Sequence, residues 1–209
     1  MKDIFVVTHA ESLHHVEDVV GGWHDTSLTE RGRRQADAIA ARVAELVDGR
    51  AVEIYASDLK RAYETAEPIG ARLGVPIVAD PDLREISYGV AGGKPQAWLD
   101  ERIRFPSRDG DRLDNRMGVE GAETKREFAT RVYRGVDRVI AGRSPTAVIV
   151  THGFAMTFVV ARWIGLPIEN AGHVNFRAGS GGITHLREED MLQNRGVQFL
   201  NDLGHMAGL

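Results

Sequence analysis

Two short stretches of this 209-residue chain could do chemistry together: Val7-Thr8-His9 and Val150-Thr151-His152. Each histidine follows a strongly apolar run (residues 4–7 and 146–150) and precedes a loop or helix start. In open parallel α/β sheets the ligand crevice lies outside the carboxyl ends of the strands. If the two strands are neighbours, both imidazoles project into one cleft. Either histidine alone reads equally as a cap or a satisfied core residue; the matched pair points to a shared site. Just past another strand comes Ser57-Asp58-Leu59-Lys60-Arg61-Ala62. Arg61 falls in the first turn of a helix, whose free backbone N–H groups favour an anion. Its guanidinium can grip phosphate oxygens in pairs, although standing alone it would read as a solvated helix arginine. The fourth stretch is Leu83-Arg84-Glu85-Ile86-Ser87-Tyr88-Gly89. A glutamate among apolar side chains is partly desolvated, which raises its pKa toward that of a useful acid; the alternative is an exposed lid carboxylate.

These residue types fit phosphoryl transfer. A neutral imidazole (His9) can attack phosphorus and leave again, giving a transient phosphohistidine. The transition state spreads negative charge over equatorial oxygens, so catalysis is mainly positioning plus cationic donors. Arg61 and a protonated His152 would supply these. Glu85 would protonate the departing alkoxide and then activate water.

The elements that must position these groups alternate. Residues 4–7 form a continuous apolar run, the pattern of a strand buried on both faces of a parallel sheet. Thr29 is the expected cap of a helix carrying Ala36, Ile39, Ala40, Val43 and Leu46-Val47 and ending near Gly49. A strand over 52–56 follows. Ser57 or Asp58 is the expected cap of the next helix, with a kink at Pro68. Residues 75–79 predict a short strand, 123–140 a helix, 146–150 a strand and 154–164 a helix. A hairpin of 173–176 with 182–186 is expected around Ala178-Gly179-Ser180-Gly181. The fold class is therefore α/β: a three-layer α/β/α sandwich on a mostly parallel sheet. One domain fills 1–209, with a small polar lid insertion at about 80–121, where Arg102, Arg104, Arg108, Arg112 and Arg116 alternate with Asp109, Asp111 and Asp114.

Composition narrows the classes. Apolar residues make up 43% and charged ones 27%, enough for a core without staples. The absence of cysteine excludes disulfides, thiolate metal sites and a cysteine nucleophile, and suits a cytoplasmic protein. Only four apolar residues precede Thr8, short of the roughly 7–15 of a signal peptide. No run reaches the ~18 residues of a membrane span. A net charge of −4 gives no reason to expect nucleic acid as a partner. Glu11, His14, His15, Glu17, Asp18 and His24 lie close in sequence but lack the helical His-x-x-x-His spacing of zinc hydrolases. No P-loop or dinucleotide fingerprint appears, so neither metal nor cofactor is expected.

The motifs together resemble the histidine phosphatase superfamily, which is phosphoglycerate mutase-like in fold. Its opening Arg-His-Gly-Glu/Gln-Thr is matched by Thr8-His9-Ala10-Glu11-Ser12. Its Gly-x-x-Asp-x-x-Leu-Thr-x-x-Gly-x-x-Gln-Ala segment is matched from Gly22 to Ala36. Ser57-Asp58-Leu59-x-Arg61-Ala62-x-x-Thr65-Ala66 resembles its second-arginine helix, Leu83-x-Glu85 its proton-donor segment and Thr151-His152-Gly153 its second histidine. The ordered matches cover about three quarters of the chain. The resemblance implies His9 as nucleophile, Arg61 and His152 as phosphate binders, Glu85 as proton donor and no metal. Thr8, Ser12, His15 and Gly153 complete the expected substrate-binding positions.

Two departures stand out: the first arginine is Thr8 and the following glycine is Ala10. A lost guanidinium removes a contact worth roughly 1.5–3 kcal/mol, about 10- to 150-fold in binding. Thr8 retains one hydroxyl donor. His15 stands where many members carry asparagine, and His14 or His15 in protonated form is the expected partial replacement, making activity fall as pH rises. The expected activity is hydrolysis of a small-molecule phosphomonoester, by a histidine acid-type phosphatase weakened or specialised by Thr8. A mutase-type phosphotransferase and a degenerate phosphate-ester-binding or regulatory protein are the competing readings. The expected partner is a phosphorylated small molecule; a homodimer is open to it.

Overall fold

A computed structural model describes all 209 residues, Met1–Leu209. The elements run β1 (Asp3–Thr8), α1 (Leu13–Val16), α2 (Glu30–Val47), β2 (Val52–Ala56), α3 (Lys60–Leu73), β3 (Ile77–Ala79), α4 (Gln96–Arg102), α5 (Lys125–Ala141), β4 (Thr146–Thr151), α6 (Gly153–Trp163), β5 (Ile183–Glu188) and β6 (Arg195–Asp202). One six-stranded sheet has the order β3-β2-β4-β1-β5-β6. The pairs β3–β2, β2–β4 and β4–β1 are parallel, whereas β5 and β6 close one edge antiparallel.

The two central strands explain the layers. Every residue of β1 and β4 is buried. Successive side chains point to opposite faces of a strand. Ile4, Val6, Ala147 and Ile149 therefore pack with Phe128, Val132 and Phe158 of α5 and α6. Phe5, Val7, Val148 and Val150 pack with Ile39, Val43, Ala62 and Ile69 of α2 and α3 on the other face. The result is the expected three-layer sandwich.

Local chemistry sets the helix starts. Thr29 accepts from Gly32 N at 2.9 Å and caps α2. Gly32 is required there, because a Cβ would sit 1.9 Å from the Glu11 carbonyl oxygen. The start of α3 differs from the expected cap by Ser57 or Asp58. Its N-cap is Leu59, with no side-chain bond of its own. Asp25, far back in the chain, instead accepts from Lys60 N at 2.7 Å. The helix continues through Pro68 to Leu73.

The third strand is shorter than 75–79. The hairpin also lies elsewhere: β5 pairs with β6, not with 173–176. His173 ends a 3-10 turn (Ile168–His173), and residues 174–179 run as loop. The glycine-rich loop after them ties to the site instead, through Gly181 N donating to both the Thr8 and His9 carbonyls at 3.1 Å. No helix is long and apolar enough to cross a membrane.

Candidate active site

The strands carrying the two histidines are neighbours in register: Thr8 pairs with Thr151. His9 N donates to the Thr151 carbonyl at 2.9 Å. The His9 and His152 rings consequently lie edge to face, 5.1 Å between centroids. Arg61 approaches from the start of α3 and is almost wholly buried, 1% exposed. Its Nε donates to His9 Nε2 at 3.2 Å, Nη1 to the His24 carbonyl at 2.9 Å and Nη2 to the Gly22 carbonyl at 2.7 Å. A cavity of about 410 Å³ opens over His9 and Arg61, lined among others by Thr8, His15, Glu85 and Gly153, with His152 wholly buried behind it.

Hydrogen bonds fix the tautomers. His9 Nδ1 lies 2.8 Å from the Ala10 carbonyl, an acceptor only, so the ring proton sits on Nδ1 and Nε2 keeps its lone pair. Burial, then Arg61, holds the His9 pKa well below the usual histidine value. The imidazole is therefore held in its neutral form, with the Nε2 lone pair facing Arg61. His15 is the converse case: Ser12 N donates to His15 Nδ1 at 3.3 Å, leaving the neutral-ring proton on Nε2. His152 Nε2 meets Ser57 Oγ at 2.8 Å, while Nδ1 is buried without a partner. A Ser57 hydroxyl proton turned toward Nε2 puts the His152 ring proton on Nδ1.

The expectation of a protonated His152, and of a cationic His14 or His15, needs correction. Burial is the largest influence on all three and lowers each pKa, with further lowering by Arg61; His14 falls to about 3. His152 is buried, His14 half-buried and His15 exposed; beside the Arg61 guanidinium each shift favours the neutral ring, which offers an N–H donor and no added charge.

Glu85 is half-buried in the cavity wall, and the desolvation of its carboxyl exceeds the opposing pull of two backbone donors and of Arg61 and Arg131, leaving its pKa raised. Its carboxylate accepts from Phe154 N at 3.0 Å and Ile86 N at 2.9 Å. The Glu85 backbone carbonyl is held by Trp23 Nε1 at 2.7 Å and Arg131 Nη2 at 2.6 Å. Sequence reasoning missed Arg131, Ser57 as partner of His152, and the Gly22 and His24 carbonyls. Arg131 was signalled by its place in the buried stripe of α5 between Phe128 and Val132; backbone carbonyls leave no trace in a sequence.

The remaining expected positions divide. Gly153 lines the cavity at the N-terminus of α6. Ser12 is buried, and its hydroxyl meets His14 Nδ1 at 2.9 Å. Thr8 lies on the floor, with its hydroxyl proton committed to the Gly179 carbonyl and its oxygen accepting from Gly182 N at 3.0 Å. The single donor expected of it is therefore spent within the fold. The ring nitrogens of His9, His14 and His15 come within 4.8 Å of one another, near enough for a metal ion. The chemistry does not fit: His9 Nε2 and His15 Nδ1 already accept N–H donors, and a dication would meet the Arg61 guanidinium.

Comparison with known proteins agrees with this geometry. A family model for the histidine phosphatase superfamily (branch 1) matches residues 4–195. A protein of Yersinia pestis named as a probable phosphoglycerate mutase, GpmB, is 32% identical, the match covering 99% of this chain and 95% of that protein. A mycobacterial glucosyl-3-phosphoglycerate phosphatase, solved in complex with vanadate (VO3), superposes with a TM-score of 0.76 at 25% identity, covering 96% of this chain and 99% of that one. A structure described as an α-ribazole-5′-phosphate phosphatase of Escherichia coli shares the fold, with a TM-score of 0.72 at 21% identity over 96% of each chain. The chain belongs to the histidine phosphatase superfamily.

Proposed function

We propose that this protein is a phosphatase that hydrolyses a small-molecule phosphomonoester through a phosphohistidine at His9. The carrying observation is the state of His9: proton on Nδ1 toward the Ala10 carbonyl, lone pair on Nε2 beside the Arg61 guanidinium. In the first step His9 Nε2 bonds to phosphorus and the ester P–O bond breaks. Protonated Glu85 gives its proton to the leaving oxygen. In the second step the Glu85 carboxylate takes a proton from water, the water oxygen bonds to phosphorus and the P–N bond breaks. Inorganic phosphate leaves and Glu85 is again protonated. Arg61, the His152 Nδ1–H and the His15 Nε2–H donate to the phosphoryl oxygens, where the transition state gathers charge. Thr8 shapes the floor by tethering the loop at 179–182.

Phosphate release from a broad panel of phosphomonoesters without added metal, comparing the wild type with His9→Ala, tests this reading. Release by the wild type and none by the variant is expected; release undiminished in the variant would refute it. The 32% likeness to a protein named as a mutase favours a mutase-type phosphotransferase as a second reading. Isomerisation of a phosphorylated substrate on adding a bisphosphorylated primer would establish it.

A further inference from the structure

Beside the two-histidine pocket lies a second cavity of about 450 Å³, within the usual range of small-ligand sites. Its walls are mostly apolar: Ile86, Tyr88, Ile103, Phe105, Met117 and Phe154. Phe105 is 72% exposed, an unusual state for a phenylalanine. Into this apolar setting come two cations, Arg112 and Lys125, and no carboxylate lines the cavity. Neither takes part in any ion pair of the protein; of the other insertion arginines, Arg102 and Arg116 do, whereas Arg104 and Arg108 do not. Arg112 Nε is buried with no hydrogen-bond partner, and Nη2 has only a long contact, 3.4 Å, to the Arg108 carbonyl. Lys125 Nζ donates once, to the Gly172 carbonyl at 2.8 Å, and lies 5.5 Å from the centre of the Phe154 ring. Two like charges held together without an acid repel each other, and an anion between them relieves both.

The cavity is also on the correct side of the chemistry. Tyr88 lines both cavities. Glu85 and Gly153 line the first; their chain neighbours Ile86 and Phe154 line the second. Phe154 N and Ile86 N are the groups that hold the Glu85 carboxylate. A leaving oxygen must depart next to its proton donor, so the body of the alcohol is directed past Glu85 toward this wall.

We propose that this cavity is the leaving-group subsite, and that the substrate is a phosphomonoester whose alcohol has an apolar body ending in a second anionic group held by Arg112 and Lys125. The assignment rests on the phosphatase reading, and its test separates the two. Phenylbutyl phosphate and its ring-carboxylated analogue have nearly equal leaving-group basicity and differ in the distal charge. The account expects kcat/KM to be about tenfold higher for the carboxylated ester, the size of one charge-assisted contact. Arg112→Gln and Lys125→Met should each bring that ratio several-fold closer to one. The matching pair of non-hydrolysable phosphonates, titrated calorimetrically into the wild type, should show the same preference in binding. Turnover of both esters with equal kcat/KM would overturn the subsite and leave the phosphatase standing. No turnover of any ester, with the carboxylated phosphonate still binding about tenfold tighter, would refute hydrolysis and retain the subsite. Equal binding of the two phosphonates, or a ratio unmoved in both folded variants, would overturn it.

Discussion

The guanidinium of Arg61 donates through Nε to His9 Nε2, the one ring nitrogen of His9 that retains a lone pair. The cation therefore covers that lone pair and helps hold the imidazole neutral. Two other Arg61 donors are fixed on the Gly22 and His24 carbonyls, so the head group has little freedom. An incoming phosphoryl group competes with His9 for the Nε proton, and a small shift of one contact uncovers the lone pair as its target is bound. Burial serves this exchange, because it strengthens every charged interaction in the pocket.

Glu85→Gln separates proton donation from phosphate binding. Alkyl esters, whose alkoxides need a proton, should lose on the order of a hundredfold or more in kcat, while p-nitrophenyl phosphate, with a good leaving group, should lose far less. The raised pKa of Glu85 keeps it protonated to higher pH than an ordinary carboxylate. Alkyl-ester turnover should accordingly fall as pH rises through that value, and this limb should vanish in the variant. Equal losses on both ester types would show that Glu85 is not the proton donor.

Thr8→Val should act on the fold before it acts on the ligand. The hydroxyl joins β1 to the loop at 179–182 through Gly179 and Gly182. Its loss removes two buried hydrogen bonds while Gly182 N and the Gly179 carbonyl keep their bond to each other, costing about 0.5–1.5 kcal/mol in denaturant unfolding. Inorganic phosphate should bind the folded variant nearly as well as the wild type. A tight-folding variant with weakened phosphate affinity would instead make the hydroxyl a ligand.

His15 is expected to donate as a neutral ring. His15→Ala should weaken inorganic phosphate binding by roughly threefold to tenfold, the net worth of one hydrogen bond. His15→Asn, which keeps an N–H donor, should recover part of it. Because burial and Arg61 hold the His15 pKa down, the difference between wild type and His15→Ala should not grow as pH falls from 8 to 7. A steep rise over that interval would restore the cationic role.

The buried histidines also make stability sensitive to acid. His14 titrates near 3 in the fold and near 6.5 when released. Between those values the unfolded chain binds more protons, so stability is lost progressively as pH falls below about 6.5. His9 and His152 shift in the same direction. Denaturant midpoints measured from pH 7 to pH 4 should decline, and His14→Asn should flatten the decline. An unchanged slope in the variant would place the His14 ring in solvent.

The site was legible where function demands a residue type at a strand end. His9, Arg61, Glu85 and His152 come together as the motif order implies, because the Thr8–Thr151 register brings two apolar strands side by side. The central strands were readable for the same reason: both faces are buried, and the runs are continuously apolar. What a local pattern could not supply was any partner chosen by tertiary contact. Asp25 capping α3, Arg131 holding the Glu85 carbonyl and the exact hairpin of β5 with β6 depend on residues distant in sequence. Protonation also depends on tertiary surroundings: in sequence the histidine cluster reads as a reserve of positive charge, whereas desolvation and Arg61 lower the pKa of each ring.

The covalent intermediate is the central claim. The protein would be mixed with its best phosphomonoester, quenched in denaturant at alkaline pH, where phosphohistidine survives, and digested for mass spectrometry. The account predicts one phosphoryl group on the peptide carrying His9, absent from His9→Ala and discharged when the wild type is left to turn over. Turnover by the wild type with no phosphorylated peptide, or with the phosphoryl group on another residue, would contradict it.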